Sequence, residues 1–376
     1  MNFTYHLPVN LIFGRGTINR IGEITAQYGK KALIVTGTGS TKKSGLLDKT
    51  VSLLEAAGVK SEIFDRVTQN PLTTTVYVGA ALAAGTGCDV VLGLGGGSIM
   101  DAAKAIAFAV ENPGDISDYI FGIRQGTKAL PIVLVPTTAG TGSEGNCFAV
   151  LTNPETKDKK SLRNNCVIAR ASVIDPELMM TMPKHIIASV GFDALAHNME
   201  AYASRQAQPL TDMKALYGIE LLAENLRKVY ENPDDAEAWE SVTLASTLGG
   251  MVIHTAGVAA PHGMEHPASG LRDIVHGKGL AALTPEIVKR SWACAPDKYA
   301  KISRLLGGTG AQDCADSIIR LLEDLNLRVL LGEQGVSEGD VDWMAENCIK
   351  VSAPSMRNHP KEFSLEEIKD IYYHVI

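Results

Sequence analysis

The sequence predicts an α/β first half built on a mostly parallel sheet and an all-helical second half, with domains running 1–180 and 181–376. Three observations carry this. Short apolar runs without polar alternation recur in the first half, each ending in a loop of small residues, the pattern of strands buried on both faces of a parallel sheet. After Met182-Pro183 the runs lengthen and take helical spacing to the end. A length of 376 residues also exceeds what one ordinary core accommodates.

Taken in order, the chain opens with a short alternating stretch, a turn at Gly14-Arg15-Gly16 and an amphipathic helix over Thr17–Tyr28. Lys31–Thr36 is the first buried strand. It runs into Gly37-Thr38-Gly39-Ser40 and then a helix from Leu46 to Ala57. Ser61–Asp65 reads as a strand, Asn70-Pro71 as a turn and Thr73–Ala84 as a helix. Asp89–Leu94 is again a strand, followed by the tight loop Gly95-Gly96-Gly97-Ser98 and a helix from Ile99 to Val110 with small residues toward the sheet. Three successive glycines let a phosphate approach the backbone, and the first amides of the helix then point at it. The plainer alternative is a strand-to-helix turn that Ser98 and Asp101 merely cap.

Pro131–Pro136 is the next buried strand, and it opens into Thr137-Thr138-Ala139-Gly140-Thr141-Gly142-Ser143-Glu144. That loop offers hydroxyls and free amides with little bulk, which suits a ribose, a pyrophosphate or a nicotinamide amide. Both loops lie at carboxyl ends of strands, where open α/β sheets bind ligands, although neither follows GxGxxG. Asn153–Arg163 is polar and turn-rich; Lys157–Lys160 reads as a solvated charge run unless Lys159 or Lys160 reaches a cofactor phosphate. Val173-Ile174-Asp175-Pro176 closes this half. The helical half is broken at Asn232-Pro233, Pro267, Gly307-Gly308 and Asn358-His359-Pro360.

Composition narrows the class. A hydrophobic share of 45% and a charged share of 20% are those of a soluble globular protein. A net charge of -7 argues against nucleic acid or an anionic membrane as partner. No apolar run is long enough to span a bilayer, and the start lacks a basic-then-apolar signal. Six cysteines without a CxxC pair suit a reducing cytoplasm.

The chemistry concentrates between Val190 and His276. Asp193 and His197 are four apart in a helical run, as are His262 and His266, so each pair leaves one helix face. With His276 they make a carboxylate and imidazole set suited to Fe(II), Zn(II) or a similar divalent ion, with one histidine left over as a proton carrier. Solvated or core-satisfied histidines are the bland alternative.

The segments Gly-Phe-Asp-Ala-Leu-Ala-His (191–197), His-Gly-Met-Glu-His-Pro (262–267) and Val-His-Gly (275–277) resemble the iron-containing (group III) alcohol dehydrogenases. So do Gly-Gly-Gly-Ser-x-x-Asp (95–101) and Thr-Thr-Ala-Gly-Thr-Gly-Ser-Glu (137–144), and the likeness runs over most of the chain. Val275 stands where that family usually has proline. The resemblance implies a dehydroquinate synthase-like architecture and a metal held by Asp193, His197, His262 and His276, with His266 near it but not bound; one turn along from His262, His266 is expected to relay a proton between substrate oxygen and solvent, the alternative being a ring that stacks beside the nicotinamide or caps the helix before Pro267. It implies a nicotinamide cofactor in the cleft, with Gly37, Gly39, Ser40, Asn70, Gly95, Gly96, Gly97, Ser98, Asp101, Thr137, Thr138, Thr141, Ser143 and Lys159 as its contacts. Family members that prefer NAD carry Asp where Gly37 stands; here Gly37 is followed by hydroxyls and by Lys42 and Lys43, which favours NADP(H). The expected reaction is hydride transfer between nicotinamide C4 and a small alcohol or aldehyde, in a cytoplasmic homodimer. A polyol or glycerol-type dehydrogenase is the nearest alternative. A metallohydrolase of a phosphorylated substrate and a metal-stabilised binding module are the readings from other classes.

Overall fold

The computed structural model describes residues 2–376. Its first half is a six-stranded sheet in the order β1 (Asn10–Phe13), β8 (Ala171–Ile174), β5 (Ile132–Pro136), β4 (Val90–Gly95), β2 (Lys31–Gly37), β3 (Lys60–Val67), with every adjacent pair parallel. The central strands are apolar throughout because both faces are covered. Ile34, Leu92 and Val133 pack with Ile21 and Leu54 on one face, while Leu33, Val91 and Leu134 pack with Val76, Ile106 and Phe108 on the other. The covering helices are α1 (Ile21–Thr25), α2 (Ser40–Lys43), α3 (Leu46–Ala56), α4 (Thr73–Thr86), α5 (Gly97–Glu111) and α6 (Ile116–Ile120).

Three sequence expectations are corrected. The helix over Thr17–Tyr28 is a 3-10 turn, Thr17–Arg20, followed by the short α1. The polar stretch 153–163 belongs to an antiparallel ribbon, β6 (Phe148–Thr152) against β7 (Lys159–Arg163), anchored by buried Ala149, Leu151 and Leu162. Lys159 is therefore not part of a solvated run: it is 5% exposed.

Past the 3-10 turn Pro176–Met179 the chain is helical: α7 (Lys184–Ala203), α8 (Pro209–Glu231), α9 (Ala236–Ala256), α10 (Ala260–Arg272), α11 (His276–Ser291), α12 (Pro296–Leu305), α13 (Cys314–Asp324), α14 (Val341–Lys350), α15 (Ala353–Asn358) and α16 (Leu365–Val375). Pro267, read as a break, lies inside α10; the ladder bond to the Gly263 carbonyl is forfeited, yet buried Met264 and Ala268 hold the helix on course. Among the described residues no single helix is long and apolar enough to cross a membrane.

The halves meet through close backbone contacts. A Cβ on Gly250 of α9 would lie 1.8 Å from the Gly142 carbonyl oxygen, and one on Gly140 2.9 Å from the Val190 carbonyl oxygen. Only glycine fits where main chains approach this closely.

Candidate metal centre and cofactor cleft

Helix α7 is buried on nearly every side from Ile187 to Ala203, so Asp193 and His197 project into protein and not into water. Helix α10 supplies His262. Helix α11 begins at His276, and it can begin there because Gly277 has no side chain: a Cβ would lie 2.1 Å from the Ser189 carbonyl oxygen of α7. That contact carries His276 up to Asp193.

Asp193, His262 and His276 offer donor atoms that all lie within 4.8 Å of one another. Asp193 Oδ1 is 3.5 Å from His262 Nε2, 3.6 Å from His276 Nε2 and 3.5 Å from His197 Nδ1. Those separations are long for hydrogen bonds, and Asp193 Oδ1, His197 Nδ1 and His262 Nε2 are buried without a hydrogen-bond partner. They match the edge of a tetrahedron around one ion, about 3.3–3.5 Å for bonds of about 2.0–2.1 Å. His197 sits outside the tight trio, its ring stacked on that of His262 with centroids 4.4 Å apart.

Two carboxylates aim the imidazoles. Glu200 Oε1 is 2.6 Å from His262 Nδ1, and Glu265 Oε2 is 2.5 Å from His276 Nδ1, which leaves each Nε2 facing Asp193. Glu200 follows His197 by three residues and Glu265 follows His262 by three, yet they orient His262 and His276 on later helices. Burial would raise the Glu265 carboxyl, but His276 and Lys159 hold it well below the usual carboxylate range. For His262 burial works downward, and Glu200 and Asp193 overcome it, pushing the imidazole up to about 10. Three buried carboxylates against one buried ammonium thus favour positive charge where the donors meet. Glu200 and Glu265 escaped sequence reasoning; the repeated His-x-x-Glu at 197–200 and 262–265 was the available signal.

His266 is half-buried, its ring edge-on to His262 at 6.1 Å and 5.9 Å from that of His276. Burial, and then Lys159, push its imidazole well below 6.5.

The cofactor candidates divide into two groups. Gly96, Ser98, Thr137, Thr138 and Thr141 keep partial exposure at the carboxyl ends of β4 and β5, and the two loops pack together, a Cβ on Gly97 falling 2.3 Å from Thr141 Cγ2. No side chain caps α5, so Ser98 and Asp101 do not form the alternative capping turn. Gly95, Gly97, Asp101 and Ser143 are buried. Asp101 faces inward, accepting from Ser143 Oγ at 2.6 Å and the Val150 amide at 3.1 Å. Lys104, fully buried and unremarked in the sequence, donates to Ser143 Oγ at 2.8 Å, Asn146 Oδ1 at 3.1 Å and the Phe148 carbonyl at 2.8 Å.

Asn70 reaches across to the turn before His276, donating to Asp273 Oδ1 at 2.7 Å and the Ile274 carbonyl at 3.2 Å. Both Asn70 and Asp273 hold left-handed backbone, with φ 44° and 50°. Lys159 places its Nζ 3.4 Å from both Glu265 Oε2 and His276 Nδ1. Gly37 ends β2, Gly39 and Ser40 open α2, and Lys42 is paired with Asp65.

A parallel sheet with small-residue loops at the carboxyl ends of its strands, followed by helices that gather histidines and carboxylates, has the form of a metal-assisted, nucleotide-linked oxidoreductase. Comparison with known proteins agrees. Residues 8–176 match the family model for iron-containing alcohol dehydrogenase, and residues 187–376 match the C-terminal model of the same family. The chain belongs to the iron-containing alcohol dehydrogenase family, and it is an NAD(P)-linked alcohol dehydrogenase. It is 37% identical over 381 residues to the 1,3-propanediol dehydrogenase of Klebsiella pneumoniae, covering 98% of both chains. It is 32% identical to the NADPH-dependent butanol dehydrogenase of Clostridium saccharobutylicum, covering 99% of this chain and 97% of that one. The crystal structure of a 1,3-propanediol oxidoreductase superposes with a TM-score of 0.93 at 36% identity, with 100% of each chain covered. The NADH-dependent butanol dehydrogenase A of Thermotoga maritima gives 0.92 at 30%, covering 100% and 98%. The hydrolase and binding-module readings fall with this membership.

Proposed function

We propose that Asp193, His197, His262 and His276 hold a divalent ion, Fe(II) with Zn(II) as the alternative, against which a small primary alcohol is oxidised or its aldehyde reduced. The observation that carries this is the set of ligand-like separations, 3.5 to 3.6 Å, from Asp193 Oδ1 to three imidazole nitrogens. When bound, such an ion supplies Lewis acidity to the substrate oxygen, worth several kcal/mol. The protein's own share is positional. Glu200 and Glu265 fix the imidazoles, the loops at 95–98 and 137–143 receive the nicotinamide nucleotide, and the buried walls keep water out. Likeness to two 1,3-propanediol dehydrogenases, at 37% and 36%, favours short diols among the substrates. A panel of primary alcohols, diols and aldehydes, followed by nicotinamide absorbance with Fe(II) or Zn(II) restored after chelation, tests the reading. Turnover that survives complete metal removal sinks it.

His266, one turn along α10 from His262 and edge-on to its ring, is proposed as the relay that passes a proton between the substrate oxygen and solvent. His266→Ala is expected to lower kcat roughly tenfold to a thousandfold with metal content unchanged. Loss of metal in that variant would make His266 a ligand instead.

For the cofactor, NADP(H) is favoured over NAD(H). No carboxylate stands at position 37, Asp65 on the neighbouring β3 is paired with Lys42, and Lys43 adds a further positive charge. A side chain at 37 has room, since a Cβ there meets nothing closer than Ile99 Cδ1 at 3.4 Å. Gly37→Asp should therefore fold normally and shift the ratio of kcat/KM values at least tenfold, by order of magnitude, toward NADH through repulsion of the 2′-phosphate. A wild-type preference for NADH refutes the assignment. A homodimer in the reducing cytoplasm is proposed as well; six free cysteines support the compartment. Light scattering tests the dimer.

A further inference from the structure

A small cavity adjoins Glu200, walled by Met199, Pro261, Thr284, Tyr299, Ile302 and His359. Its walls are buried throughout. Two of the wall side chains are polar and unpartnered: both ring nitrogens of His359, a residue 2% exposed, and the hydroxyl of Thr284, a residue 1% exposed. Leaving a donor or acceptor buried and unmet costs about 1–3 kcal/mol each. The Tyr299 hydroxyl, also on the wall, has only a long 3.3 Å bond to Ser291 Oγ.

The void measures about 20 Å³. On that measure about 10–15 Å³ admits one water molecule, so there is space for one and not for an organic ligand. The chemistry of the walls selects water as well. A neutral imidazole offers one donor and one acceptor, a hydroxyl offers both, and the Glu200 carboxylate accepts. An anion would be repelled by Glu200, and an apolar guest would leave the orphaned atoms unmet.

We propose that this cavity is the site of a resident water bonded to His359 and Thr284, and that through it His359 positions the Glu200 carboxylate. Glu200 is otherwise anchored by the Ala259 amide at 2.6 Å on Oε2 and by His262 Nδ1 at 2.6 Å on Oε1. The water adds a further restraint to the carboxylate that aims His262. His359 is itself well fixed: its carbonyl accepts from Arg205 Nε at 2.8 Å, its ring stacks on Phe363 at 5.5 Å, and its neighbour Asn358 donates to the Ala256 carbonyl at 2.7 Å. His359 is thus a positioning residue. This inference rests on the reading of His262 as a metal ligand.

Diffraction from crystals of the metal-loaded protein should show one ordered water within hydrogen-bond distance of His359 and Thr284; an empty cavity overturns the proposal. His359→Leu is expected to weaken metal affinity roughly tenfold in chelator competition, whereas His359→Gln, which keeps a donor and an acceptor, stays near wild type. A purely space-filling role predicts that Leu holds the metal as well as Gln does, and that result also overturns it. Were the wild-type protein to bind no divalent ion, the metal reading would fail separately, with the electron density still deciding the water.

Discussion

His262→Ala is expected to lose the metal and to lower kcat/KM by roughly three to five powers of ten while the protein stays folded. The size follows from two commitments of one ring. Its Nε2 is one of three donors that meet within 4.8 Å, and its Nδ1 holds Glu200, so truncation removes a donor and leaves a 5%-exposed carboxylate without its imidazole partner. The helix itself survives, since alanine is a good helix former and the surrounding core is untouched. Metal content by mass spectrometry, circular dichroism and steady-state kinetics together decide the matter. A variant with full metal content and turnover would remove His262 from the centre.

Lys104→Met should cost about 3–5 kcal/mol of stability, the penalty for leaving the buried Asp101 carboxylate without the cation that Ser143 Oγ bridges to it. Burial pushes the Lys104 ammonium down to about 8, with Asp101 opposing, so it remains charged at pH 7. Without it, Asp101 keeps its place under the loop with no compensating cation, and Ser143, Asn146 and the Phe148 carbonyl lose a shared donor. Because those groups hold the 141–148 segment from behind, KM for the nucleotide should rise in the same variant. The double replacement Lys104→Met with Asp101→Asn should recover most of the stability, because it removes both charges together. Denaturant unfolding measures both; a single-variant loss below about 1 kcal/mol would show that the pair is not integral to the loop.

The sheet was readable because its strands are buried on both faces, so Lys31–Thr36, Asp89–Leu94 and Pro131–Pro136 carry their signal in composition alone. The ribbon β6–β7 was not, because half of its residues are charged or polar and its burial is imposed by α5 and α10 from elsewhere in the chain. Pro267 misled for a related reason: a local rule predicted a break, and packing of Met264 and Ala268 overruled it. The candidate metal donors Asp193, His197 and His262 stood out through spacings of four on two helices, and His276 through the resemblance of its Val-His-Gly. Their orienting carboxylates were not, since Glu200 with His262 and Glu265 with His276 are relations between elements that no local period encodes. Lys42 looked like free charge until the fold brought Asp65 to it.

The glycine seam between the halves bears on how this sequence can drift. At Gly97 the obstacle to a new methyl group is the Thr141 side chain, so a second change, to a smaller residue at 141, can make room. At Gly250 the obstacle is the carbonyl of Gly142, and at Gly142 it is the Gly250 amide at 2.4 Å and the Ser246 carbonyl at 2.4 Å. Main-chain atoms have no smaller version. An error at either glycine therefore has no second-site suppressor next to it, and a search for revertants of Gly250→Ala should return true reversions at codon 250 while revertants of Gly97→Ala also include replacements at 141.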